Sequence, residues 1–430
     1  MKRNGVLVLV IALFCVASAL IPYVFTSKSV KEAFNSASFS VPEGETERAG
    51  EKGETFAVWI ASVYNLNYPT KYNMTSDELA SEAAEICEKC VSLGLNTVYL
   101  QVRPSADSLC KSEIFPWSDV LTGVQGKDPG CDPLELFINE AKKKDIRVHA
   151  WINPYRVTVG SLKYPNTDLD SLGENHPARL HPEWVVRYGG ALYFNPGIPE
   201  VRQLIIDGAV EIAENYDVAG VHMDDYFYPY PIDSDGQTLE FDDSAQYERY
   251  GVEKTLENWR RDCVNELVKG LYTSLKIVNQ ELEFGISPFG IWANDDGANG
   301  GSATEASTEG YYDLFADATA WIDGGYIDYI CPQIYWSFES EKTPFKNVYE
   351  WWSETVKGTG VKLIPGIAAY RLYETETPGW DRITQVSEQL RYVREKANAS
   401  GAAFYGYEQL AVESEAVSMC AAEIKAWKNE

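Results

Sequence analysis

The chain has 430 residues, with 37 Lys and Arg against 64 Asp and Glu and a formal charge of −27. Binding a polyanion needs a basic surface that releases counterions, so this balance argues against a nucleic-acid partner. With 45% hydrophobic and 23% charged residues the chain is not disordered in bulk, and its 27 Tyr and 12 Trp suit a large core or flat ligand faces.

Lys2 and Arg3 precede an apolar run over residues 5–25, long enough to cross a bilayer of roughly 30 Å at ~1.5 Å per residue. The run directs export and leaves everything after Thr26 outside the cytoplasm. It reads as a membrane anchor or, if cleaved near Ala17-Ser18-Ala19, as the signal peptide of a secreted protein. Phe14 ahead of Cys15 argues against lipidation. Residues 26–54, rich in Ser, Glu, Gly and Lys, form a flexible linker, and residues 55–430 form the folded domain. Basic and acidic residues balance within 1–54, so the acidity belongs to the folded part.

The first predicted strand covers residues 56–60. Thr75-x-x-Glu78 is a capping box, and Leu79, Ala83, Ile86, Cys90 and Leu93 follow at helical spacing until Gly94. Cys87 and Cys90 lie within that helix, which makes packing their role; Cys110 and Cys131 flank one loop and are candidates for a bridge. Strand 96–102 comes next, then a helix opened by Asp132 and Pro133 and running to about residue 144. The alternation continues with strand 146–152, helix 199–215, strand 218–223, helix 253–280 and strand 283–287. Helix 311–322, strand 327–331, helix 347–357, strand 361–364, helix 383–397 and strand 402–405 complete it. Eight apolar strands separated by helices predict a closed (β/α)8 TIM barrel with long loops. No Gly-x-Gly-x-x-Gly or P-loop supports an open doubly wound sheet instead.

A barrel of this kind carries its active site at the C-terminal ends of the strands. Those ends hold Arg103, then Trp151, Asn153 and Arg156, then His222, Asp224, Asp225 and Tyr226, then Trp292, and finally Gln333, Tyr335 and Trp336. Carboxylates and amides match sugar hydroxyls, and aromatic faces match pyranose C–H surfaces. Asp224 and Asp225 are the candidate catalytic pair, because two adjacent carboxyls in an apolar surround can keep a proton near neutral pH. Glycoside cleavage usually takes two carboxyl groups. The second is the other member of the pair, or Asp295, Glu339 or Glu408, or is replaced by an N-acetyl group of the substrate acting as internal nucleophile. The remaining ten side chains are candidates to bind the sugar. His149, His176, His181 and His222 form no His-x-His and no His-Glu-x-x-His, so neither a metal nor an organic cofactor is expected. Trp351 and Trp352 sit on an outer helix and read as packing. Should so acidic a chain meet an anionic polymer, a locally basic cleft around Arg103 and Arg156 is expected.

The segments His149-Ala150-Trp151-Ile152-Asn153-Pro154-Tyr155-Arg156, Leu192-Tyr193-Phe194-Asn195-Pro196-Gly197, Gly220-Val221-His222-Met223-Asp224-Asp225-Tyr226-Phe227-Tyr228-Pro229, Gly285-Ile286-Ser287-Pro288-Phe289-Gly290-Ile291-Trp292 and Pro332-Gln333-Ile334-Tyr335-Trp336 occur in this order. Together they resemble the bacterial glycosyl hydrolase-like 10 family over roughly residues 55–410. The resemblance implies a TIM-barrel glycosidase of exported or envelope-attached proteins, whose relatives act on peptidoglycan glycan strands stripped of stem peptides. The family's Asp-Asp-Tyr-Phe and Pro-Gln-Ile-Tyr-Trp segments fall on 224–227 and 332–336. Met223 stands where an aromatic is usual, and Glu408 leaves the eighth strand's contribution open. The expected protein is an extracytoplasmic hydrolase of envelope glycan, with a non-catalytic glycan-binding barrel as the alternative.

Overall fold

The computed structural model describes residues 53–234, 236–251, 253–396 and 398–429. The anchor or signal peptide expected over 1–25, and the linker up to residue 52, lie outside the described residues. Among the described residues no helix is long and apolar enough to cross a membrane.

Eight barrel strands follow in chain order: β1 (Thr55–Ile60), β2 (Thr97–Arg103), β3 (Arg147–Ile152), β4 (Gly220–Met223), β5 (Glu283–Ile286), β6 (Tyr329–Ile330 and Gln333–Ile334), β7 (Lys362–Leu363 and Gly366–Ala368) and β8 (Gly401–Tyr405). Pairing is parallel throughout. β6 and β7 are each interrupted at a proline, Pro332 and Pro365, which has no N–H to give the ladder. The first halves of these two strands pair with each other beside β5, and their second halves pair beside β8. Because each strand is one continuous segment, the sheet meets itself and the barrel closes.

Each strand leads to a helix: Ser76–Leu93, Pro133–Lys142, Pro199–Asn215, Leu256–Val278, Ala318–Asp323, Phe345–Thr355, Gln385–Arg394 and Glu415–Trp427. The first is opened by the Thr75 and Glu78 capping box and closed by Gly94 at φ +84°, a left-handed conformation that suits glycine. Asp132 caps the second by accepting the Glu135 N–H. The fifth is shorter than expected, since a separate turn, Gly310–Asp313, takes the first part of its span. Glu415–Trp427 was not anticipated; its apolar face includes Val417, Cys420 and Ile424, which are buried. Two antiparallel hairpins, Val185–Tyr188 with Ala191–Phe194 and Asp233–Ser234 with Gln237–Thr238, stand in the loops after β3 and β4. Cys110 and Cys131 are both free, against the suggested bridge; the Cys110 thiol sits 3.2 Å from Ser108 Oγ instead. Cys87 and Cys90 are buried in the first helix.

Alternation along the strands sends Ala57, Trp59, Tyr99, Trp151, Tyr329, Cys331 and Ala403 into the barrel, where they pack as one buried cluster. Gly220 and Gly285 leave room for two large neighbours. A Cβ on Gly220 would stand 2.5 Å from the His149 ring, and one on Gly285 would stand 2.2 Å from the Tyr329 ring. At the opposite rim from the strand ends, Glu283 takes Lys362 at 2.9 Å and Arg147 at 3.4 Å. Burial pushes the Glu283 pKa up, but His149, Lys362 and Arg147 together outweigh it and hold the carboxyl at about 2. Overpacking a filled barrel interior costs about 1–3 kcal/mol. Gly285→Val should therefore lower the unfolding free energy by about 1–3 kcal/mol or more in urea titration; a loss within the error of the measurement would contradict the packing described.

Candidate active site

The site is built around Asp224 and Asp225, which follow β4 and are both buried. β3 supplies the donors for Asp224. Trp151 Nε1 donates to its Oδ2 at 3.1 Å, and Asn153 Nδ2 donates to the same oxygen. The Tyr226 backbone N–H donates to Oδ1 at 3.3 Å. Asn153 is itself fixed, since its Oδ1 accepts from Gln101 Nε2 at 2.6 Å. Gln101 Oε1 in turn accepts the Ser62 and Val63 N–H groups, each at 3.0 Å, at the end of β1. Three strand ends are thus linked through two amides to one carboxylate. Asp225 looks the other way, toward the Tyr230 hydroxyl and the Gln333 side chain. Gln333 is anchored by donating to the Ser287 carbonyl at 3.0 Å.

Burial raises the pKa of both carboxyls. For Asp224 the Asp225 charge adds to burial, while Arg156 and the Trp151 and Tyr226 donors pull back, leaving it at about 7. Arg156 also acts on Asp225. Its Nε donates to the Pro104 carbonyl at 2.8 Å, and its guanidinium lies 5.1 Å over the Tyr226 ring. Such a pair titrates as one unit and holds a single proton near neutrality.

Below the pair lies a neutral floor. Trp59 Nε1 donates to His222 Nε2 at 3.1 Å, which leaves the imidazole proton on Nδ1, 2.9 Å from the Tyr329 hydroxyl. His222 stacks on Tyr99 with ring centroids 4.1 Å apart. Burial, with His149 adding, pushes its pKa well below the usual range. His222 therefore supports the mouth from beneath and does not face a ligand.

The structure brings Trp151, Asn153, Arg156, Tyr226 and Gln333 to the pair. Tyr335 and Trp336 stand along the wall: Tyr335 stacks on Tyr405 at 6.1 Å, and Trp336 meets Phe289, which in turn meets Tyr230. Arg103 and Trp292 are elsewhere. A register shift between Gln101 and Arg103 turns Arg103 out of the barrel; Gln101 pairs with Trp151, but Arg103 pairs with Ile152. Its guanidinium lies against the third helix, donating to the Gly208 carbonyl at 3.1 Å and covering the Phe115 ring at 4.0 Å. The basic character expected of the cleft thus rests on Arg156 without Arg103. Trp292 stacks on Trp351 at 5.6 Å, away from the mouth. Among the proposed second carboxylates, Glu339 pairs with Arg382, Asp295 caps the Gly297 N–H, and Glu408 accepts from Asn67. None of the three has a hydrogen bond to the pair. Two further residues belong to the site: Gln101, legible in the sequence because it shares the inward alternation of Tyr99, and Tyr230, which lies in the loop after β4 where no alternation signals it. Among the described residues no cluster of His, Cys, Asp or Glu could hold a metal ion.

The family described as Glycosyl hydrolase-like 10 matches residues 54–380. A relative named Glycosyl hydrolase YngK, from Bacillus subtilis, is 44% identical over 359 residues, covering 83% of this chain and 69% of that protein. Glycosyl hydrolase DigH of Escherichia coli is 35% identical over 354 residues, 79% of each chain. In fold, the chain is similar to the PgaB (BpsB) glycoside hydrolase domain from Bordetella bronchiseptica, at 11% identity and a TM-score of 0.52, covering 86% of this chain and 98% of that one. It is also similar to an endo-beta-1,4-mannanase from Thermotoga petrophila, at 12% identity and a TM-score of 0.51, covering 88% and 77%.

The placement of Arg103 gives a direct expectation. Removing its buried side chain opens a cavity against Phe115 and costs about 2–4 kcal/mol. Arg103→Ala should reduce thermal stability and leave KM for the glycan unchanged at a temperature where the variant is folded. A raised KM with unchanged stability would return Arg103 to the site.

Proposed function

This chain belongs to the glycosyl hydrolase-like 10 family and is a glycoside hydrolase; from that premise we propose that it cleaves envelope glycan outside the cytoplasm, with peptide-free peptidoglycan strands as substrate. The apolar segment over residues 5–25 supports the location, and the family resemblance supports the substrate. What carries the chemistry is the buried Asp224 and Asp225 pair with its unequal donors.

All three groups bonded to Asp224 can only donate: the Trp151 indole, the Asn153 amide N–H and the Tyr226 backbone. They stabilise a carboxylate. Asp225 meets the Gln333 side chain and the Tyr230 hydroxyl, which can donate or accept; although burial and the Asp225 charge lift Asp224 to about 7, the donor-only surround of Asp224 assigns the shared proton to Asp225. Asp225 then acts as the general acid, protonating the bridging oxygen as the glycosidic bond breaks. Asp224 supplies the negative charge on the other side of the reaction, as nucleophile or as the group that orients a substrate acetamide for attack. Tyr226, Tyr335 and Trp336 offer sugar-facing aromatic surface, while Asn153, Arg156 and Gln333 fix the hydroxyls and tune the pair. The acid form is lost as pH rises through the pair's raised pKa, so kcat/KM should fall about tenfold per pH unit above roughly pH 7.

Asp224→Asn and Asp225→Asn should each slow cleavage of peptide-free strands several hundredfold without unfolding, roughly the loss of one acid–base contribution. An N-acetylhexosamine oligomer bearing a nitrophenyl leaving group needs no proton from the enzyme. On that substrate Asp225→Asn should recover most of its rate and Asp224→Asn should not. Release of new reducing ends by both variants at the unchanged rate would refute the assignment; recovery by Asp224→Asn alone would exchange the two roles.

A further inference from the structure

Beside the strand ends that carry the pair lies a cleft of about 600 Å³ between the loops that follow β1, β2 and β3. It touches the groups that hold the pair. Val63, on its wall, gives its N–H to Gln101; Pro104, also on the wall, gives its carbonyl to Arg156. The cleft therefore starts where the catalytic mouth ends.

Two observations characterise it. The first is its charge. Asp107, Asp119, Asp170 and Glu174 line it, with Arg179 as the single lining cation among the described residues, and Arg179 Nη1 is already committed to the Leu172 carbonyl at 2.6 Å. Asp107 forms the floor, with 1% exposure, and its Oδ1 has no hydrogen-bond partner. Its Oδ2 accepts from the Gln125 amide at 3.3 Å, and the Ser118 hydroxyl and Ser105 N–H also act on the carboxyl. A buried carboxylate oxygen left without a donor costs free energy that a ligand donor would recover. Burial, with Asp119 adding, pushes the Asp107 pKa up to about 6.

The second observation is the rim. Tyr64 is 70% exposed and Tyr72 56% exposed, and both line the cleft. Tyr64 is held at φ +58°, and Asn65 after it at φ +54°, a left-handed pair of non-glycine residues that costs conformational energy. Asn65 Nδ2 fastens the turn by donating to the Pro69 and Val120 carbonyls, each at 2.8 Å. The result is a tyrosine ring presented to solvent at the entrance of an acidic cleft. Exposed aromatic faces over hydrogen-bonding carboxylates are suited to a pyranose, and carboxylates without balancing cations favour one bearing an ammonium group.

We propose that this cleft is a distal sugar subsite of the same hydrolase, one that prefers hexosamine units carrying a free amine over N-acetylated units, with Asp107 receiving the ammonium and Tyr64 and Tyr72 covering the sugar faces. The inference rests on the glycan-cleaving reading of the adjoining mouth. It extends that reading from the scissile bond to the composition of the strand that is held.

Binding tests it independently of cleavage. A β-1,4-linked glucosamine hexamer and its fully N-acetylated counterpart are titrated into the full chain by calorimetry, with hexalysine as a reference for general attraction to an acidic protein. The glucosamine hexamer should bind about tenfold tighter than the acetylated one, an advantage that shrinks with added salt. Asp107→Asn or Asp119→Asn should remove most of that advantage while leaving hexalysine binding unchanged, since each alters one charge in an excess of 27. Tyr64→Ala should weaken both sugar hexamers alike. Equal affinities in the unchanged chain, or an advantage that survives both Asp variants, overturns the subsite. A parallel assay of reducing ends from peptide-free strands separates the two ideas. Cleavage without amine preference rejects the subsite and keeps the hydrolase reading; preference without cleavage does the reverse.

Discussion

Two neighbouring carboxyl groups shut away from water cannot both be ionised cheaply, and the mouth of this barrel is organised around that constraint. Asp224 and Asp225 are adjacent in sequence and both buried, with Arg156 as the cation that acts on both. One positive charge cannot balance two negative ones in a poorly hydrated place, so the pair retains a proton. The hydrogen-bond donors then break the symmetry. Asp224 receives only N–H donors, whereas Asp225 meets, beside the Gln333 side chain, a hydroxyl that can take either role. Acid and base functions are separated by what each carboxyl is allowed to accept.

That separation is only as good as the positions that impose it. Asn153 and Gln101 link the ends of β1, β2 and β3 into one chain of amide contacts ending at Asp224. Underneath, His222, Tyr99, Tyr329 and Trp59 fill the barrel with rings that are stacked and hydrogen-bonded to one another. The neutrality of His222 matters electrostatically. A protonated imidazole two residues before Asp224 would favour the carboxylate form of both acids and remove the proton that glycoside cleavage requires. Complete burial and the Trp59 N–H directed at Nε2 both act against that charge.

The sequence showed the barrel well because its elements are local. Caps at Thr75 and Asp132 and apolar strands between helices need no tertiary information, and the described strands fall where those signals are. β7 runs past its expected end at residue 364, because Pro365, which looks like a terminator in the sequence, only interrupts a ladder that resumes at Gly366. The last helix carries a cap of its own, Ser414 accepting the Val417 N–H, yet an expected count of eight strands gave no reason to look beyond β8. Of the expected site residues, those on regular strand positions or directly after them lie by the pair. Arg103 does not, because alternation along β2 breaks at the register shift after Gln101, and a bulge has no clear sequence signature in an apolar strand. Trp292 lies six residues past β5, far enough for the loop to carry it to Trp351. Gln101 is legible by its alternation with Tyr99, whereas Tyr230 lies in the loop after β4, where only tertiary structure brings it to Asp225.

Withdrawing Arg103 from the mouth changes how the whole charge must be understood. The chain carries −27, and the Arg156 guanidinium is the cation that bears on both carboxyls. Beside it the adjoining cleft adds further carboxylates. An anionic polymer approaching this face is repelled over distances up to the Debye length, about 8–10 Å at ordinary ionic strength. Peptide-free peptidoglycan strands, with a lactyl carboxylate on each muramic unit, meet that barrier as well, and free amines along a strand offset it. The acidity that counts against a nucleic-acid partner thus acts as a filter at the entrance, while the single guanidinium within keeps the paired acids from being protonated together.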